Sequence, residues 1–90
     1  MSVKVRIPSQ LRQLTSGEGM VEIDAGTIGS IIMELENRHP GMAERLLDEG
    51  EVRRFINLYV DGDDIRFAQG LDTEVADGAE VSIVPAVAGG

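Results

Sequence analysis

The chain has 90 residues, 42% of them apolar, no cysteine, and a formal net charge of −8 from sixteen acidic and eight basic side chains. That is one domain, and a chain this short buries only roughly 60–65% of its unfolded surface, so there is little room for an internal pocket. Disulfides, thiolate nucleophiles and cysteine-ligated metals are excluded, as is the clustered Lys and Arg surface that nucleic acid requires.

An acidic domain of this size is suited to docking on a basic protein surface. No apolar run approaches the ~18 residues that span a bilayer. A basic-then-apolar leader is missing at the start. A soluble cytoplasmic protein, with no membrane partner, is expected.

Val3, Val5 and Ile7 alternate with Ser2, Lys4 and Arg6. That period of two predicts a first strand with one apolar face, ended by Pro8, which lacks a ladder donor. Leu11 and Leu14 sit in a polar connection with room for a short helical turn, and Ser16-Gly17-Glu18-Gly19 signals a turn. Met20-Val21-Glu22-Ile23 predicts a second short strand, making residues 3–23 a hairpin with a long loop.

Thr27 is placed to cap a helix. Ile28, Ile31, Ile32 and Leu35 follow at i, i+3, i+4 and i+7, with Glu34, Glu36 and Arg38 on the other side. Pro40 disfavours helical geometry at His39 and ends the helix there. Met42, Leu46 and Leu47 predict one further helical turn, closed by Asp48-Glu49-Gly50.

Phe55 to Val60 carries the strongest strand pattern, with Ile56, Leu58 and Val60 on one face and Phe55, Asn57 and Tyr59 on the other. Asp61-Gly62 is a tight hairpin signal. A short strand is expected at Asp64 to Phe67, a loop from Gly70 and Leu71, a turn at Val75-Ala76-Asp77-Gly78, and a last strand from Glu80 to Val84. Val81 and Ile83 of that strand should point inward, Ser82 and Val84 outward.

The order β-β-α-β-β-β predicts an α+β domain. It matches a β-grasp (ubiquitin-like) arrangement, a mixed sheet of about five strands covered on one face by one main helix. Residues 1–86 form the domain and residues 87–90 a flexible Gly-Gly tail.

Catalytic chemistry finds no footing inside this domain. His39 is the only histidine, beside a proline at a helix end, so there is neither a Cys–His pair nor a two-histidine metal site. No phosphate-cradling glycine pattern occurs. Asp61, Asp63 and Asp64 suggest a calcium loop, but Ile65 and Arg66 break its ligand spacing. Glu34 and Arg38 form an i, i+4 pair of the ordinary surface kind. The outer sheet face has a different character. Lys4, Arg6, Phe55, Asn57, Tyr59, Ser82 and Val84 share it, including two of only three aromatic residues. Aromatic side chains are favoured anchors at protein interfaces, so Phe55, Tyr59, Val84 and Arg6 are the candidate partner-binding face.

The remaining distinctive stretch is the last. Val84-Pro85-Ala86-Val87-Ala88-Gly89-Gly90 runs a strand into a proline and finishes on two residues without Cβ atoms. Such a backbone can enter a slot too narrow for side chains. Residues 86 to 90 reach at most about 16–18 Å when fully extended.

The Asp77-Gly78 turn, the strand after it, Pro85 and the final Gly89-Gly90 together resemble the ubiquitin-like sulfur carrier (ThiS/MoaD-type) family. The resemblance spans essentially the whole chain. The stretch from Phe55 to Phe67 and the ending Pro-Ala-Val-Ala-Gly-Gly are most similar to the carriers of cysteine biosynthesis. It implies a protein-bound sulfur donor, a substrate of enzymes and not itself an enzyme, that binds no cofactor of its own. A ubiquitin-activating-type adenylyltransferase/sulfurtransferase would use ATP to adenylate the Gly90 carboxylate. Sulfur would then displace AMP to leave a thiocarboxylate.

Val87, Ala88 and Gly89 would thread the partner's active site. The acceptor would be a cysteine synthase carrying pyridoxal phosphate, and a metalloprotease would release cysteine. Two alternatives stay open: the small subunit for molybdopterin synthesis, or a ubiquitin-like protein modifier. Thiamine carriers are usually shorter. A modifier built into chains would be expected to offer several lysines, and Lys4 is the only one here.

Overall fold

The computed structural model describes residues 1–85. The four residues expected to thread a partner, Val87, Ala88, Gly89 and Gly90, lie outside the described residues, as does the tail boundary after residue 86.

Strand β1 (Ser2–Arg6) pairs antiparallel with β2 (Met20–Asp24), in register from Ser2 opposite Asp24 to Arg6 opposite Met20. The long loop between them is ordered by a 3-10 helix, Ser9–Thr15. Leu11 anchors that helix in the core. The Thr15 hydroxyl, fully buried, lies 2.7 Å from the Glu18 carbonyl, so the one buried polar side chain among the described residues has its partner. A two-residue strand β3 (Gly26–Thr27) leads into helix α1 (Ile28–Arg38). Thr27 caps α1 as expected, its side chain accepting from the Ser30 N–H at 3.1 Å. The helix buries the four apolar residues of its stripe and ends at His39.

Helix α2 (Met42–Leu46) follows directly. The Glu36 carboxylate, on the side of α1 away from the stripe, accepts from the N–H groups of Gly41 and Ala43 at 3.1 and 2.9 Å and so satisfies two donors at the start of α2.

The segment expected simply to close at Asp48-Glu49-Gly50 is instead a small hairpin of β4 (Leu47–Asp48) and β5 (Glu51–Val52). Glu49 and Gly50 both take positive φ, 54° and 82°, the twist that a two-residue hairpin loop needs.

The main sheet continues with β6 (Ile56–Val60), β7 (Asp63–Asp64) and, after the two-residue β8 (Glu74–Val75), the last strand β9 (Glu80–Pro85). Asp61 and Gly62 connect β6 to β7 with φ of 49° and 90°, the same hairpin geometry. The strand order is β2-β1-β9-β6-β7. The first and last strands run parallel, with Lys4 opposite Glu80, Val5 opposite Val81 and Arg6 opposite Ser82. One face of this five-stranded mixed sheet meets α1 and α2, the β-grasp arrangement expected from the element order.

Three other expectations need correction. Residues 65–67 are a 3-10 helix and not a strand, because Asp64 caps it, its carboxylate accepting from the Arg66 N–H at 2.8 Å. Val75 is a strand residue of β8, opposite Gly26 and buried, so the turn begins only after it. Phe55 precedes β6 and sits in a turn closed by the Ile56 N–H donating to the Arg53 carbonyl at 3.0 Å.

The core is one cluster in which Val3 and Val5 of the first strand, and Ile7 just after it, meet Leu58, Val81 and Ile83 of the sheet and the apolar stripe of α1. Leu58 lies at its centre. Leu58→Ala is expected to lower the unfolding free energy by roughly 2–5 kcal/mol, through lost burial and the cavity left behind. A urea titration followed by circular dichroism checks this.

Candidate functional site

The site is built around the end of β9. This strand is central: β1 flanks it on one side and β6 on the other, and its pairing with β6 persists to Ile56 opposite Pro85. Val81 and Ile83 are buried, so strand alternation turns Ser82 and Val84 to the outer face. Val84 is 43% exposed. The same alternation on β6 buries Leu58 and turns Asn57 and Tyr59 outward.

Registers then fix which candidates meet. Arg6 and Tyr59 flank Ser82 from its two sides in one row across the sheet. Val84 and Asn57 form the next pair toward the tail. Arg6 is also engaged within the sheet, its Nε 3.2 Å from a Glu80 carboxylate oxygen in an exposed pair. Such a pair contributes about 0–1 kcal/mol, so it orients the side chain more than it stabilises the fold. Phe55, outside the strand, is 55% exposed and lies beyond the last row, against Ile56 and Pro85. The candidate face is therefore a patch of Arg6, Tyr59 and Val84 on the sheet, with Phe55 at its tail-proximal corner.

Two further groups brace this region. The Asp61 carboxylate accepts from the Glu80 N–H at 3.0 Å, tying the β6–β7 hairpin to the first residue of β9. Across β6, Tyr59 is opposite Asp64, and Asp64 is paired with Arg66 at 2.9 Å. The side-chain hydrogen bond from Arg66 holds the Asp64 carboxyl below the usual carboxylate range, and the same bond raises the Arg66 guanidinium. Arg66 also donates to the Asn57 side-chain oxygen, so the outer-face residues Asn57 and Asp64 share one guanidinium.

Two of the three hairpin aspartates thus have structural partners. Among the described residues, no group of three or more His, Cys, Asp or Glu side chains is placed to hold a metal ion. No helix among them is long and apolar enough to cross a membrane.

Sequence reading missed the arginines around the same end of β9. Arg45 of α2 and Arg53 and Arg54 of the turn before β6 border the groove that contains Phe55, Ile56 and Pro85. The Arg53-Arg54 pair directly before the strongest strand was the signal that could have found them.

A small α+β domain with this strand order, its last strand central and its outer sheet face mixed polar and aromatic, belongs to the ubiquitin-like β-grasp class. Residues 5–90 match the ThiS family, and the chain belongs to it. It is 46% identical over 93 residues to the sulfur carrier protein CysO of Mycobacterium tuberculosis, covering 100% of both chains. It is 32% identical to small archaeal modifier protein 3 of Haloferax volcanii, again covering 100% of each. A chain of the Amycolatopsis orientalis BexX/CysO complex superposes with a TM-score of 0.94 at 49% identity, over 98% of this chain and 99% of that one. The chain is a ubiquitin-like sulfur carrier protein of this family, similar over its full length to CysO.

The Asp64–Arg66 pair makes a pH prediction. A carboxylate whose folded pKa is depressed adds stability that is present above its ordinary pKa and is lost as pH falls through the folded value. Asp64 should therefore titrate below the ordinary range in a carbon-detected NMR titration. In Arg66→Gln its midpoint should rise back toward that range. An unchanged midpoint in the variant would show that the pair has no influence on Asp64.

Proposed function

We propose that the chain carries sulfur for cysteine biosynthesis as a thiocarboxylate at Gly90. The observation that carries this proposal is the central β9, paired with β1 from Glu80 to Ser82 and with β6 as far as Pro85, with five residues of sequence after it. Five residues extend at most about 16–18 Å, enough to put a carboxylate into a recessed active site while the domain stays outside. Full-length similarity to CysO supports the choice of pathway.

The chemistry follows from the carboxylate. It is a poor electrophile, because its leaving group would be an oxide. In an activating adenylyltransferase/sulfurtransferase, a Gly90 oxygen attacks the α-phosphorus of ATP and pyrophosphate leaves. A sulfur nucleophile then attacks the acyl carbon and AMP leaves. With hydrosulfide as that nucleophile the thiocarboxylate forms directly; with a persulfide, an acyl disulfide forms and a thiol reductant cleaves it, leaving as the mixed disulfide and releasing the thiocarboxylate. Its sulfur is anionic and nucleophilic at neutral pH, and it attacks an activated serine derivative, O-phosphoserine, in a pyridoxal-phosphate cysteine synthase. An acyl shift and a metalloprotease then free cysteine and restore Gly90. Val87, Ala88 and Gly89 form the thin stalk, and Phe55, Tyr59, Val84 and Arg6 form the face on which the partners seat.

A second reading, attachment of Gly90 to other proteins, is favoured by the similarity to small archaeal modifier protein 3. The single lysine, Lys4, disfavours chains of this protein on itself.

Intact-mass analysis tests the proposal. Incubation with ATP, a sulfur source and the activating enzyme should add the mass of one oxygen exchanged for sulfur. Deletion of Gly90, or Gly90→Ala, should abolish that gain and leave the thermal unfolding curve unchanged. Normal sulfur gain by the deletion variant would refute it. Cysteine formation from the loaded protein, O-phosphoserine and the cysteine synthase then separates this pathway from molybdopterin synthesis.

A further inference from the structure

Three cations of an acidic chain converge where the last strand ends. Arg45, Arg53 and Arg54 line an open groove floored by Phe55, Ile56 and Pro85. Among the described residues the one carboxylate lining that groove is Asp48, while Arg53 and Arg54 also border an adjoining cleft with Glu51 and Asp64. Arg53 is held in place, its Nε donating to the Glu44 carbonyl and its backbone N–H to the Leu46 carbonyl, each at 2.9 Å. The salt bridges among the described residues engage Arg6, Arg38 and Arg66. Arg45, Arg53 and Arg54 have none there, although acids outnumber bases sixteen to eight in the chain. Three guanidiniums against one carboxylate at a single spot are the reverse of the molecule's overall charge balance.

We propose that this groove docks an acidic segment of the protein that receives the tail, with carboxylates on the arginines and an apolar side chain over Phe55 and Ile56. Its use rests on the carrier role proposed above, in which a partner takes hold of Gly90. Position selects the partner. Pro85 lines the groove, and only four residues separate it from Gly90. A protein that encloses the C-terminus must therefore press against the domain near this groove.

Charge selects the sign of the docked segment. An arginine fork donates two parallel hydrogen bonds to a carboxylate, an arrangement lysine cannot reproduce. Chemistry also selects what sits between the arginines: Phe55, 55% exposed, offers the aromatic anchor common at interface centres. The acidic remainder of the surface repels an acidic segment elsewhere, which steers it to this end of the sheet.

Calorimetric binding to the activating enzyme, at low and at moderate salt, tests the groove. The wild type is compared with Arg53→Gln/Arg54→Gln and with a charge-matched control, Gln10→Glu/Gln13→Glu, on the exposed 3-10 helix of the first loop. The arginine variant should bind about tenfold or more weakly with a shallower salt dependence, and the control should bind like the wild type. Equal binding by the two variants overturns the proposal.

If the arginine variant melts lower than the wild type, Arg45→Gln on the opposite wall takes its place, with a smaller loss expected in the same direction. A wild type that binds but gains no sulfur overturns the carrier role and leaves the groove standing. A wild type that gains sulfur, with both variants binding alike, does the opposite. A wild type that does not bind overturns both.

Discussion

The parallel pairing of β1 with β9 is the constraint on which the rest of the molecule depends. It joins Lys4 to Glu80, Val5 to Val81 and Arg6 to Ser82, across almost the whole length of the chain. Parallel neighbours cannot be joined by a tight turn, and here everything between them, both helices and the other strands, serves as the connection. Once it forms, the last strand is central and not an edge. Val81 and Ile83 are then committed to the core, and β6 closes on the other side as far as Pro85. A terminus usually frays because few contacts hold it. Here β9 is paired with β1 from Glu80 to Ser82 and with β6 as far as Pro85, so the last described residue is still held in the sheet.

The division of labour between the two faces of the sheet follows. Stability resides on the helix side, where the stripe of α1 packs on Val3, Val5, Leu58, Val81 and Ile83. The outer face carries exposed pairs such as Arg6 with Glu80, which contribute little to folding. It can therefore be shaped for recognition at small cost to the fold. A domain this small has little volume in which to enclose a reaction, and a carrier does not need one. It has to be recognisable near its tail and rigid up to the point where the tail begins. The bond from the Glu80 N–H to Asp61 stiffens the start of β9, and Arg66, shared by Asn57 and Asp64, ties β6 to the segment after β7 on the outer face.

Much of this was legible from local pattern. The alternation of Val3, Val5 and Ile7, the i, i+3, i+4, i+7 stripe from Ile28, the Thr27 cap and the Asp61-Gly62 turn each depend on neighbours within a few residues, and each appears in the structure where expected. Where the expectation failed, a side-chain bond had outcompeted a propensity. Asp64 capping Arg66 replaced a strand by a 3-10 helix, and positive φ at Glu49 and Gly50 made a hairpin of an assumed loop end. Glu36 was legible only as a residue on the polar side of a helix, because its partners, Gly41 and Ala43, come within reach only after the chain reverses.

By itself the sequence determined the amphipathic elements, the β-grasp order and the glycine-terminated tail, because periodicity and the absence of Cβ atoms are properties of short stretches. Only the tertiary structure decided which outward residues are neighbours. Arg6 and Tyr59 meet across Ser82 because two non-local registers, one parallel and one antiparallel, align them. Arg45 joins Arg53, Arg54 and Phe55 near Pro85 because α2, the turn before β6 and the end of β9 border one groove. Side chains so far apart in the chain acquire a common electrostatic environment only when the sheet closes, and no local pattern encodes that proximity.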